Sequence, residues 1–147
     1  MVGDATRPQG EGPKLLLHVC NDVGLWGAGF AKAVSARWKG PEREYLRAHA
    51  AGELSLGEAL FVDVGKKLTV GTLIACKGAR RVDGGATLRI ASLRRALEKA
   101  AKRALETGAS VHMPRLGCGG GGACWEDVEP VLRETLAGLD VVVYDLA

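Results

Sequence analysis

No stretch of this 147-residue chain approaches the ~18 consecutive apolar residues that a membrane-spanning helix needs, and residues 1–12 have no apolar core of the signal-peptide kind. The expectation is a cytoplasmic protein with no membrane partner. Cysteine is sparse, and Cys20, Cys76, Cys118 and Cys124 show no C-x-x-C spacing. In a reducing compartment they read as thiols in the core or in loops, not as disulfides. The same lack of paired-ligand spacing argues against a zinc site drawn from His18, Cys20, His112, Cys118 and Cys124, and the expected metal and cofactor content is none. Charge of one sign is also lacking: the net charge of +3 is too slight to point to nucleic acid, although it mildly favours an anionic ligand. There is no internal repeat and no low-complexity tract, and the one linker-like stretch is the Gly/Pro-rich segment 7–13.

The length itself suits one domain spanning residues 1–147, expected as a monomer. A content of 47% hydrophobic and 25% charged residues is that of a globular chain rather than a disordered one. Apolar runs alternate with helical patterns. KLLLHVC (14–20) reads as a buried strand and AGFAKAVSARW (28–38) as a helix. A more polar helix begins at Pro41, where a first helical position tolerates proline. Segments 60–64 and 68–76 flank the turn Gly65-Lys66-Lys67 and suggest a hairpin. Residues 87–106 carry Ile90, Leu93, Leu97 and Leu105 at helical spacing, with Gly108 as a stop. A strand at 110–114, a helix at 125–137 and a final buried strand at 141–144 complete the reading. Parallel crossovers combined with an antiparallel hairpin predict a three-layer α/β/α sandwich around a mixed sheet.

Two glycine-rich loops carry the functional signal. Asn21-Asp22-Val23-Gly24-Leu25-Trp26-Gly27-Ala28-Gly29 joins a strand to a helix, where open α/β sheets place their ligands. Gly117-Cys118-Gly119-Gly120-Gly121-Gly122 occupies the equivalent place after a later strand. Glycines there let a phosphate approach backbone N–H groups, and a following helix N-terminus adds a favourable field. Two such cradles suit a diphosphate, although each loop taken alone could be only a tight turn. Neither loop ends in Gly-Lys-Ser or Gly-Lys-Thr, so neither is a P-loop. A dinucleotide fingerprint fails because Lys32 stands where a third small residue belongs.

The pieces Gly3-Asp4-Ala5-Thr6, His18-Val19-Cys20-Asn21-Asp22, Trp26-Gly27-Ala28-Gly29-Phe30-Ala31, Pro114-Arg115-Leu116-Gly117-Cys118-Gly119, Trp125-Glu126-Asp127-Val128 and Tyr144-Asp145-Leu146 together resemble a macrodomain. The resemblance is to the bacterial branch similar to terminal ADP-ribose glutamate hydrolases and antitoxin-type DNA de-ADP-ribosylases. It implies ADP-ribose, or an ADP-ribosylated protein or DNA, as partner. By that resemblance Asp4, beside Ala5, would accept from the adenine amino group. Gly27 to Ala31 and Gly117 to Gly122 would hold the diphosphate, Asn21 would face the distal ribose, and Tyr144 would pack near the adenine. The sequence departs from the branch at two places: Cys76 occupies the position of a lysine, with Lys77 one residue later, and Gly121 replaces an aspartate. A lysine-adduct mechanism is therefore in doubt.

Hydrolysis without an adduct would use a water positioned between Asn21, Asp22 and a substrate phosphate. Against it stands a reader that binds ADP-ribose and does no chemistry. A third reading makes the glycines structural and the chain a partner-binding domain. Asp22 could equally cap a turn, Lys77 could be a solvated loop charge, and Cys118 could be a small residue rather than a thiolate nucleophile. His18 and His112 read as satisfied core residues. Trp26 could wall a cleft or close a helix onto the sheet.

Overall fold

The computed structural model describes residues 1–27, 29–78, 87–118 and 122–145. Within them the elements run β1 (Lys14–Asn21), α1 (Phe30–Arg37), α2 (Gly40–Ala50), β2 (Ala59–Gly65), β3 (Leu68–Cys76), α3 (Ile90–Thr107), β4 (Ser110–Met113), α4 (Trp125–Thr135) and β5 (Val141–Val143). The sheet order is β2-β3-β1-β4-β5. Strands β3, β1, β4 and β5 are mutually parallel, and β2 alone is antiparallel, against β3. The mixed sheet and its hairpin thus follow the sequence pattern.

Alternation along β1 explains the three layers, because successive side chains of a strand point to opposite faces. Leu15 and Leu17 enter the core shared with Leu93, Ala96, Leu97 and Ala100 of α3 and Val128, Val131 and Leu132 of α4. Leu16 packs instead with Val34 of α1, and Cys20 with Ala31 of α1 and Tyr45 of α2. A strand covered on both faces needs an unbroken apolar run, which is what Leu15-Leu16-Leu17 supplies. Gly71 of β3 answers to the same crowding: a Cβ there would lie 2.7 Å from Leu17 Cδ2.

Helix α3 begins at Ile90, later than the spacing predicts. Leu88 bridges Cys76 in antiparallel fashion, with Lys77 N–H donating to the Thr87 carbonyl and Arg89 N–H to that of Ala75, each at 2.8 Å. Pairing with the end of β3 outcompetes the first helical turn. At the other end Gly108 adopts φ 69° and donates its N–H to Ala104, the expected left-handed stop. The last strand is shorter and less buried than its apolar sequence suggests, because it is an edge strand of the sheet. Val141–Val143 are all half-buried, and beyond them Val2 pairs in parallel with Asp145. No helix among the described residues is long and apolar enough to cross a membrane.

Candidate functional site

Because β1, β3, β4 and β5 are parallel, the segments that follow them leave one edge of the sheet. The first glycine loop follows β1, residues 77–89 follow β3, and the second glycine loop follows β4. The N-terminal segment reaches the same edge: Gly3 N–H donates to the Asp145 carbonyl at 2.8 Å, so Asp4 and Ala5 continue past the end of β5. The fold therefore collects the predicted pieces at the strand C-termini, the usual ligand position of open α/β sheets. Of the predicted residues, Ala28, Gly119, Gly120 and Gly121 lie outside the described residues.

The first loop is wound around Asn21. Its Oδ1 accepts from the N–H groups of Val23 at 3.0 Å and Leu25 at 3.3 Å, and its Nδ2 donates to the Leu25 carbonyl at 2.6 Å. The Tyr45 hydroxyl, from α2, donates to Asn21 Oδ1 at 2.7 Å and to the Asn21 carbonyl at 2.8 Å. These bonds make Asn21 an organiser of the loop before it can be a ribose ligand. Gly24 adopts φ 80° with the His49 ring against it, so that a Cβ would fall 2.4 Å from His49 Cδ2. Trp26 closes α1 onto the sheet: its Nε1 donates to the Ala31 carbonyl at 3.0 Å, and its ring meets His18 edge-on and tilts against Tyr45, both at 5.3 Å. It remains half-buried.

Past Trp26 the loop changes character. Gly27 and Gly29 are exposed; a Cβ on Gly27 would meet only the Ala31 Cβ at 3.9 Å, and one on Gly29 nothing within 4 Å. Helix α1 then starts without a side-chain cap and without an acidic residue in its first turn. Its first N–H groups and the positive end of its dipole face the loop unneutralised, the arrangement that favours an anion. Phe30 lies half-buried against His18, at 6.0 Å between rings, and Ala31 is buried.

In the second loop Gly117 adopts φ 73°, and a Cβ there would lie 2.6 Å from Leu88 Cδ2. Ala123 N–H donates back to the Gly117 carbonyl at 2.9 Å, and Gly122 is also left-handed at φ 71°. Cys118 points its thiol at the Leu116 carbonyl, 3.5 Å away. Burial pushes that thiol up, outweighing the Arg115 charge that pulls it down, so Cys118 is held protonated and is not an activated nucleophile. Helix α4 also lacks a side-chain cap, but Glu126 and Asp127 occupy its first turn.

A third group supports the N-terminal segment. Asp4 Oδ1 accepts from the Thr6 hydroxyl at 2.7 Å and the Thr6 N–H at 2.9 Å, and the Thr6 hydroxyl and N–H hold the carboxyl below its ordinary value. Asp4 is therefore an anion with Oδ2 carrying no partner among the described residues. Tyr144 does not offer a free face for a base. It is 3% exposed, packed close beneath Gly3, and its hydroxyl accepts from Gln9 N–H at 2.9 Å and bonds His112 Nδ1 at 2.7 Å. The ring is a prop under residues 3–9.

At the end of β3, Cys76 is buried and its thiol is raised by burial, while Lys77 is exposed. Asp22 Oδ1 accepts from the Gly78 N–H at 2.9 Å, and Asp22 N–H donates to the Cys76 carbonyl at 3.1 Å. Asp22 thus ties the first loop to the end of β3. His18 and His112 are core residues as expected, each 1% exposed. His18 Nε2 bonds the Thr72 hydroxyl at 2.8 Å, and burial lowers its pKa to about 4.

Sequence reasoning missed Tyr45, Thr6 and the Arg115–Asp145 pair, in which Arg115 donates to both carboxylate oxygens at 2.7 and 3.3 Å and lies over the Trp125 ring at 5.3 Å. For Tyr45 a signal existed: Pro41, Tyr45 and Ala48 recur at helical spacing and are the buried residues of an otherwise polar helix.

Comparison with known proteins agrees with this architecture. The chain is 30% identical over 150 residues to the mouse chromodomain-helicase-DNA-binding protein 1-like, a match covering 97% of this chain and 17% of that protein. The chain thus spans about a sixth of the length of that curated relative. The macrodomain protein from Streptomyces coelicolor is 41% identical, with TM-score 0.86 and coverage of 98% of this chain and 95% of the other. The DarG macrodomain of Mycobacterium tuberculosis is 28% identical, with TM-score 0.81 and coverage of 100% and 96%. Thermosipho africanus DarTG, solved in complex with ADP-ribose, shares the fold at 21% identity and TM-score 0.71 over 92% of this chain and 38% of that one. The family model named Macro domain matches residues 17–132, and the chain belongs to the macrodomain family.

Proposed function

We propose that this chain, a single macrodomain over residues 1–147, binds ADP-ribose or an ADP-ribosyl group on a macromolecule and hydrolyses the linkage that attaches it. The observation that carries the binding is the open N-terminus of α1: no cap, no acid in its first turn, and preceding it Gly27, whose missing side chain no internal contact demands. A diphosphate laid there meets N–H donors and a favourable dipole. The second loop, through Gly117, Cys118 and Gly122, would supply the facing wall, and the Oδ2 of Asp4, without a partner among the described residues, suits the adenine amino group. The ADP-ribose complex of the Thermosipho africanus relative supports the choice of ligand.

For the chemistry, Asp22 keeps Oδ2 free of partners among the described residues while Oδ1 is held by Gly78. A water held by Asp22 would attack the anomeric carbon of the distal ribose. The new C–O bond forms as the bond to the acceptor group breaks, the water proton passes to Asp22, and the acceptor leaves with a proton. No covalent adduct is needed, in keeping with a buried neutral thiol at Cys76. The reader alternative is favoured by one observation: the Asn21 amide and one Asp22 oxygen are already engaged in holding the loop. Incubation with ADP-ribosylated protein and, separately, ADP-ribosylated DNA decides between them. Release of ADP-ribose that falls at least about a hundredfold in Asp22→Ala supports the hydrolase. Retained binding with no release from either substrate leaves the reader.

A further inference from the structure

We infer that Tyr45, on a helix outside the candidate site, is a positioning residue that sets how well the first loop holds the distal half of the ligand; this rests on the binding reading above. Its ring is fully buried, and its hydroxyl reaches both the main-chain carbonyl and the side-chain Oδ1 of Asn21, at 2.8 and 2.7 Å. The single hydroxyl hydrogen is shared between them. Asn21 in turn fixes Val23 and Leu25, so one phenol on α2 anchors the turn that leads into Gly27 and α1. The same ring tilts against Trp26 at 5.3 Å, which bonds the Ala31 carbonyl. Tyr45 thus contacts the loop at Asn21 and at Trp26, on either side of the exposed Val23 and Leu25. The loop holds Val23 and Leu25 exposed to solvent, at 42% and 59%, so it has little burial of its own to fix it. Hydrogen bonding from below is what orders it.

The Asp4 segment is supported separately, by Thr6, Gln9 and Tyr144. Loosening the first loop should therefore weaken contacts with the diphosphate and distal ribose while leaving the adenosine end alone. Tyr45→Phe removes one oxygen and keeps the ring. ADP-ribose affinity is expected to fall about three- to tenfold, the effect of losing one ordering hydrogen bond, with adenosine affinity unchanged. Amide exchange at Val23 and Leu25 should quicken, a readout that needs no ligand. Unchanged ADP-ribose affinity, a parallel loss of adenosine affinity, or unaltered exchange in a folded variant would overturn the assignment. Should Tyr45→Phe fail to fold, Tyr45→Met, which likewise removes the hydroxyl and fills much of the ring's space, takes its place with the same expectations. Absence of ADP-ribose binding by the unaltered protein overturns the binding reading itself, and the exchange measurement then still reports whether Tyr45 orders the loop.

Discussion

The two glycine loops look alike in sequence and differ in what their glycines are for. In the second loop Gly117 is required by the protein itself, by a left-handed φ of 73° and by Leu88 lying where a side chain would go. In the first, Gly24 is of that kind, but Gly27 has neither demand: no positive φ and only ordinary contact with Ala31. The helices that follow differ in the same sense, since α4 carries Glu126 and Asp127 in its first turn and α1 carries no acid there. On the proposed binding reading, a glycine that the fold does not need, ahead of an unneutralised helix start, has its reason in the ligand. Glycine count therefore says less than where each missing Cβ would point.

Breaking the second loop should be the more damaging change. Gly117→Val is expected to cost roughly 3–4 kcal/mol of stability, combining a left-handed β-branched residue with overpacking against Leu88; denaturant titration would show the midpoint fall. A value near that of the unaltered protein would show that the loop can rearrange and that the contrast is false.

Acid should loosen the first loop from beneath. His18 lies under Trp26 and Phe30, and its folded pKa of about 4 is below the unfolded value near 6.5. Between those values the unfolded chain binds more protons, so stability is lost as pH falls from about 6.5 towards 4. The loss amounts to roughly 3 kcal/mol for this residue, and the similarly lowered His112 adds to it. His18→Gln should flatten that part of the stability profile; a profile identical to the parent's would contradict the assignment.

Much of the fold was legible because its causes are local: the unbroken apolar run of β1, the helical spacing of α3 and the Gly108 stop are each set by a few residues. The start of α3 was not, since Leu88 is drawn away by a partner distant in sequence, Cys76. The site was legible as segments, and its internal wiring was not. Asn21 and Asp22 stood out as polar residues at a strand end, but that their side chains bond the loop and Gly78 depends on which strands lie side by side. Tyr144 was read as packing near the adenine; that His112 and the segment above it bury its ring depends on contacts between distant elements. Tyr45 was passed over in a polar helix because its partner lies on a different element.

A smaller effect sharpens the account at the adenine end. Asp4→Asn keeps an Oδ1 acceptor for Thr6 and so should leave stability within about 0.5 kcal/mol. It replaces the unpartnered carboxylate oxygen with a donor, and ADP-ribose affinity should drop about three- to tenfold. An unchanged affinity would remove Asp4 from the site.

The central claim is that Gly27 is a glycine for the sake of a ligand, and calorimetric titration of ADP-ribose into the unaltered protein and Gly27→Val tests it most directly. The account predicts binding by the former and at least about tenfold weaker binding by the latter, with thermal midpoints that coincide. Equal affinities, or no binding by either protein, would contradict it.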